Sequence, residues 1–386
     1  MSWKKAIIFV FIFFTFLGFG FYSGFYFGKS QCKVCPPQNI DFSLFWEVYD
    51  KLKEKFVEKE KIDNQKILEG AISGMVKSLG DPYTVFLNAE ETKRFMEGVK
   101  GTFEGIGVEI GVKKGQLQII APLEGTPAQR AGLKSGDIIL KINGQFTMDM
   151  TLEEAISLLR GPKSTKVRLT IQRKEWEEPK EIEIVRDIIE IPSLRWEIKD
   201  YKGEKIIYLK LFQFLEKTSE DFKKAAYQIL KIPTKKMILD LRDNPGGYLE
   251  VAVDVAGWFL EKGKPVVIED LGQEKKTYSA QGPSLFSDYK LVVLINEGSA
   301  SAAEILAGAL KDNKEVLLIG EKTFGKGTVQ ELISFKDGSS LKVTVGKWLT
   351  PKGNLIAEKG LTPDIEIENN EDEFQLQKAL EILKNL

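Results

Sequence analysis

Between two apolar runs, Leu291-Val292-Val293-Leu294-Ile295 and Ala302-Ala303-Glu304-Ile305-Leu306-Ala307, the chain places Gly298-Ser299-Ala300-Ser301-Ala302. The first run reads as a strand buried on both faces and the second as a helix. A strand that turns sharply into a helix commits this part of the chain to α/β layering. The turn holds a serine out of the sheet, with backbone N–H groups nearby that can receive an oxyanion. None of the 386 residues is a histidine, so a Ser-His-Asp arrangement cannot form. If Ser301 is a nucleophile, its base is a lysine or a carboxylate. Lysine is the better choice, because burial lowers its pKa towards a neutral amine.

The length predicts two or three domains with a substantial core. Lys and Arg total 55 against 56 Asp and Glu, a net charge of -1, which offers nothing to a nucleic acid. Lys4 and Lys5 precede an uncharged, aromatic-rich stretch over residues 6–27. As a helix it would reach about 33 Å, enough to span a bilayer. No A-x-A-like cleavage site follows, and Lys29-Ser30-Gln31-Cys32 lacks the small apolar residues that precede a lipidated cysteine. The expectation is an uncleaved single-pass anchor in the inner (cytoplasmic) membrane over residues 1–28. The rest of the chain would then be extracytoplasmic, in the periplasm. Cys32 and Cys35 form a lone C-x-x-C in a linker over residues 29–40. With no further cysteine or histidine to complete a metal or redox site, they read as linker thiols or a local or intermolecular disulfide.

Residues 41–98 read as helical, with Phe42, Phe45, Trp46, Tyr49 and Leu52 at helical spacing and a turn at Gly80-Asp81-Pro82-Tyr83. This segment carries no catalytic signal; it can pack on the core or pair with a second copy as a homodimer. Over residues 99–187 the pattern changes to short strands and turns. Thr151-Leu152-Glu153-Glu154 is a capping box that opens a helix, and Val167 to Ile171 alternates as a strand. The ordered set of Gly105-Ile106-Gly107-Val108, Ala131-Gly132-Leu133 and Gly136-Asp137-Ile138-Ile139 resembles a PDZ domain. That resemblance implies a carboxylate-binding loop at Gly105, Ile106, Gly107 and Val108, which captures an extended C-terminus by strand addition. The apolar start of the groove helix favours an apolar terminal residue.

Residues 188–386 alternate strands and helices as an α/β core. The strand Met237 to Leu241 runs into Asn244-Pro245-Gly246-Gly247, where glycines before a helix leave N–H groups bare. Further on, Lys326 sits between Gly325 and Gly327, with Phe324 and Val329 close enough in sequence to desolvate it. Gly327 stands where a phosphate loop would need Ser or Thr, so nucleotide binding is not expected.

Asn244 to Gly247, Gly298 to Ile305 and Lys322 to Gln330, in that order, resemble the carboxyl-terminal processing peptidases, or tail-specific proteases. The resemblance implies a crotonase/ClpP-like α/β protease core with an inserted mainly-β PDZ domain, an N-terminal helical segment and one transmembrane helix. It implies Ser301 as nucleophile, Lys326 as general base and Gln330 as the residue that orients the lysine amine. The oxyanion donors would be the N–H groups of Gly247 and Ala302, with Gly246 as the alternative, and Asp312 would have a supporting role. Neither metal nor organic cofactor is called for. The chain departs from the family pattern at Ala303, where a second serine is frequent.

Local sequence leaves rivals open. Ser301 and Glu304 also fit a capping box, S-x-x-E. Ser299 is an alternative nucleophile, and Lys311, Lys314 and Lys322 are alternative bases. S-x-x-K pairs occur at Ser287–Lys290 and Ser339–Lys342, neither opening a convincing helix. The function expected is a membrane-anchored serine endopeptidase that binds apolar C-terminal tails of proteins or peptides and cleaves near them. The alternative is a PDZ-containing binder or scaffold that does not cut.

Overall fold

The computed structural model describes residues 3, 13–25, 40–113, 115–123, 125–148, 150–368 and 372–386. The chain divides into two compact units, Met1–Gly70 and Ala71–Leu386.

In the first unit, residues 13–25 are helical. Among the described residues no helix is long and apolar enough to cross a membrane. The transmembrane helix expected from residues 6–27 is therefore corrected, and single-pass anchoring with it. Gly18, Gly20 and Gly24 interrupt the aromatic residues here, each weakening a helix by about 1 kcal/mol relative to alanine. Cys32 and Cys35 lie outside the described residues. The helix Ser43–Lys55 follows, with Asp41 accepting the Ser43 N–H at 2.8 Å. Its helical stripe buries no residue, and Phe42, Leu44, Trp46 and Leu52 are exposed.

In the second unit an antiparallel sheet runs Val108–Lys113, Gln116–Pro122, Ile138–Ile142, Lys166–Gln172 and Lys180–Val185, with Gln145–Phe146 beside the third. Alternation drives it: Val167, Leu169 and Ile171 are fully buried, while Arg168 between them faces out. The helix Leu152–Leu159 closes this core, opened as expected by reciprocal bonds between Thr151 and Glu154. The chain enters and leaves side by side, because Thr102–Gly105 pairs antiparallel with Asp187–Glu190.

A six-stranded sheet forms the other core, in the order Leu194–Tyr201, Glu204–Leu211, Lys236–Asp240, Lys290–Ile295, Leu317–Gly320, Ile365–Glu366. The first pair is antiparallel and the remaining pairs are parallel. Successive side chains take opposite faces. Leu239, Val293 and Ile295 pack with the helices Thr218–Ile229, Leu249–Phe259 and Ala302–Lys314, while Ile238, Val292 and Leu294 pack with Asp372–Asn385. Burial on both faces explains the uninterrupted apolar run at 291–295.

A second, antiparallel sheet contains Ser340–Leu349, Thr328–Ser334, Pro265–Asp270 and Lys275–Ser279. Its edge is Val85–Leu87, paired with Ser340–Leu349 and drawn from a stretch whose sequence reads as helical. Leu239→Ala should cost about 2–5 kcal/mol of stability, read as a lower urea midpoint. A loss below about 1 kcal/mol would contradict its place in a close-packed core.

Candidate active site

Parallel strands end at the same edge, so the loops after Lys236–Asp240, Lys290–Ile295 and Leu317–Gly320 meet there. Ser301 caps the helix Ala302–Lys314 with φ 54° and ψ -116°. A residue with a Cβ holds this conformation only under strain of about 1–3 kcal/mol. What fixes it is Glu304, whose Oε2 accepts the Ser301 N–H at 2.8 Å.

The same carboxylate reaches the lysine loop. Its Oε2 also accepts the Lys326 N–H at 3.0 Å, and its Oε1 accepts the Gly325 N–H at 2.8 Å and the Thr323 hydroxyl at 2.5 Å. Glu304 is completely buried. Burial pushes its carboxyl above the usual range, while the four donors pull it back. One oxygen atom therefore ties the backbones of Ser301 and Lys326 together.

The glycines around Lys326 are required by close approach. A Cβ at Gly327 would lie 2.1 Å from the Ala357 nitrogen, and one at Gly325 3.0 Å from the Gly360 nitrogen. Backbone bonds clamp the loop from both sides, Glu358 N–H to Gly325 C=O at 2.8 Å and Trp348 N–H to Gly327 C=O at 2.7 Å. Lys326 itself is half-buried. Burial lowers its amine from the ordinary lysine value, and the charge on Glu304 opposes that shift. No hydrogen bond joins its Nζ to the Ser301 hydroxyl among the described residues.

Gly246 lies against the serine turn, where a Cβ would fall 2.7 Å from Ser301 Cβ and 2.9 Å from the Ala302 nitrogen. Its own N–H donates to Asn244 Oδ1 at 2.9 Å. The neighbouring Gly247 N–H and the Ala302 N–H have no protein partner among the described residues. Gln330, expected at the lysine amine, donates instead to the Tyr83 carbonyl at 3.3 Å.

The rivals are bonded elsewhere or exposed. Ser299 is buried, donating to the Leu241 carbonyl at 2.8 Å and accepting the Asn296 N–H at 3.0 Å. Lys311 pairs with Asp364 at 2.9 Å, Lys314 bonds the Ser287 carbonyl, and Lys322 is exposed. Ser339 bonds Asp337 in a hairpin turn, and Ser287 is exposed in another turn. Asp312 caps a distant turn by accepting the Lys352 N–H at 2.8 Å.

In the smaller domain, Ile106, Gly107, Val108, Ile156 and Leu159 line a groove of about 220 Å³. Gly105 lies outside that lining and pairs with Asp187. The N–H groups of Ile106 and Gly107 have no protein partner among the described residues. A Cβ at Gly107, whose φ is 74°, would fall 2.4 Å from Thr126.

The architecture and sequence match known proteins. Residues 205–367 match the model of peptidase family S41, residues 118–173 that of a PDZ domain, and residues 30–92 that of the activating protease CtpB N-terminal domain. The photosystem II D1 C-terminal processing protease is 30% identical, covering 89% of this chain and 93% of its own, with a TM-score of 0.55. The chain belongs to peptidase family S41. The "Probable CtpA-like serine protease" of Staphylococcus aureus (strain N315) is 42% identical over 324 residues, 83% of this chain. Its counterpart in Staphylococcus epidermidis (strain ATCC 35984) is 41% identical over 322 residues. The chain spans 64% of the length of these curated relatives.

Glu304→Gln should lower the stability of this S41 chain. An amide nitrogen must face one of the two donor pairs, and even with the Thr323 hydroxyl turned to accept from it the Gly325 N–H is left unpaired, at about 1–3 kcal/mol. An unfolding free energy from denaturant titration within about 0.5 kcal/mol of wild type would contradict the four-donor arrangement.

Proposed function

We propose that the chain is a serine endopeptidase acting on proteins and peptides, with Ser301 as nucleophile and Lys326 as general base. The observation that carries the reading is the shared Glu304 oxygen, which joins a strained, half-buried serine to a half-buried lysine beside two N–H groups without a protein partner among the described residues.

In this reading, neutral Lys326 takes the Ser301 proton as the oxygen attacks the scissile carbonyl. The Gly247 and Ala302 N–H groups receive the oxyanion. Collapse breaks the C–N bond, and the lysine ammonium gives its proton to the leaving amine. The regenerated amine then deprotonates water, which attacks the acyl-enzyme and frees Ser301 and a new C-terminal carboxylate. The PDZ groove holds the substrate's C-terminal carboxylate on the Ile106 and Gly107 N–H groups and its apolar last side chain against Val108, Ile156 and Leu159.

A second reading is a tail-binding protein that does not cut. It is favoured by one observation, the absence of a hydrogen bond between Ser301 and Lys326 among the described residues. Pairing of two copies through the exposed stripe of Ser43–Lys55 is compatible with either reading.

The test incubates the full chain, as wild type, Ser301→Ala and Lys326→Ala, with an unstructured protein ending in apolar residues. Mass spectrometry reads the products. Wild type alone should trim from the C-terminal side, Ser301→Ala should be inert, and Lys326→Ala should lose about 10²–10⁴-fold. Tail binding without cutting by wild type would favour the binder. The neutral amine is the working form, so kcat/KM should rise with pH through a limb below the ordinary lysine value. A flat profile would argue against lysine as base.

A further inference from the structure

The lysine has a wall that the S41 core does not supply. The ring of Tyr83 stands 5.8 Å from Lys326 Nζ, measured to its centroid, and the Tyr83 carbonyl accepts the Gln330 amide at 3.3 Å. Tyr83 belongs to the stretch matching the CtpB N-terminal domain, more than a hundred residues before the S41 match begins. Its turn is firmly seated. Asp81 Oδ1 accepts the Tyr83 N–H at 3.0 Å and Asp81 Oδ2 the Thr84 hydroxyl at 2.5 Å, while Thr84 Oγ1 accepts the Thr344 N–H at 3.1 Å. The next residues pair with the second sheet, Val85 opposite Lys342 and Leu87 opposite Ser340.

We propose that Tyr83 is a positioning residue for Lys326, its ring shielding the amine from water while its carbonyl holds Gln330. This rests on Lys326 being the base. Two effects of the ring oppose each other. A cation over an aromatic face is attracted, but at 5.8 Å it is near the limit of about 6 Å where that attraction ends. Exclusion of water disfavours the ammonium form, and burial lowers this lysine against the opposing charge of Glu304. Shielding therefore wins, and the neutral amine is favoured.

The charged groups around the amine are Glu304 from the helix below, Lys342 from the strand Ser340–Leu349, and Asp81 and Glu358 beside the ring. Lys342 is half-buried against Phe95, and the Lys326 charge disfavours its own. The Tyr83 phenol is pushed up by burial and by Glu304, so it stays neutral across the working range and is not itself the titrating group.

The experiment measures kcat/KM against pH for the full chain as wild type, Tyr83→Ala, Tyr83→Leu and Tyr83→Phe. Tyr83→Ala should move the lysine limb to higher pH, with activity on the limb falling about tenfold for each unit moved and recovering on the alkaline side. Tyr83→Phe retains the ring and should restore the wild-type limb. Tyr83→Leu, which supplies apolar cover without a ring, should fall between them and gives a reading if the alanine variant does not fold. A uniform loss at every pH with the limb unmoved would overturn the proposal, leaving Tyr83 a structural residue. A wild type with no limb, or Ser301→Ala that still cuts, would instead overturn the Ser-Lys reading beneath it.

Discussion

A completely buried carboxylate holds this site together. Glu304 accepts four hydrogen bonds, two from the lysine loop's backbone, one from Thr323 and one from the serine turn. Its desolvation is tolerable because every one of those donors is fixed by the fold. Without that carboxylate the strained Ser301 loses the bond to its N–H, and the loop carrying Lys326 loses its link to the Ala302–Lys314 helix. The arrangement sets the backbones of Ser301 and Lys326 relative to each other.

The sheets supply the rigidity that such a link needs. Parallel strands buried on both faces bring the Asn244, Ser301 and Lys326 loops to one edge, and glycines let them touch. Gly246 meets the serine turn and Gly327 meets the Ala357 backbone at distances no side chain would allow. Tyr83 comes from much earlier in the chain through the short strand Val85–Leu87, so part of the lysine's surroundings depends on a segment outside the catalytic fold.

Much of this was legible locally. The run Leu291 to Ile295, the turn at Gly298 and the helix from Ala302 are each declared by neighbouring residues, as are the Thr151–Glu154 cap and the alternation at Val167 to Ile171. Long-range features were not. Ser301 and Glu304 read as an ordinary helix cap, because nothing in the sequence says that the same carboxylate bonds a loop 22 residues later. Val85-Phe86-Leu87 is too short to show a strand period, and its partner is some 250 residues away. Gln330 read as a partner for the lysine amine, whereas its amide bonds the Tyr83 carbonyl, a contact only the assembled sheet creates. At the N-terminus, an uncharged, aromatic-rich stretch read as a membrane span, but among the described residues no helix is long and apolar enough to cross one.

The central claim is that Ser301 is activated by Lys326. The most direct measurement is labelling of the full chain with a fluorophosphonate, with the modified residue mapped by mass spectrometry across pH. The account predicts a single adduct on Ser301, formed faster as pH rises and at least about a hundredfold slower in Lys326→Ala. An adduct on Ser299, or labelling of Ser301 that proceeds equally well without Lys326, would contradict it.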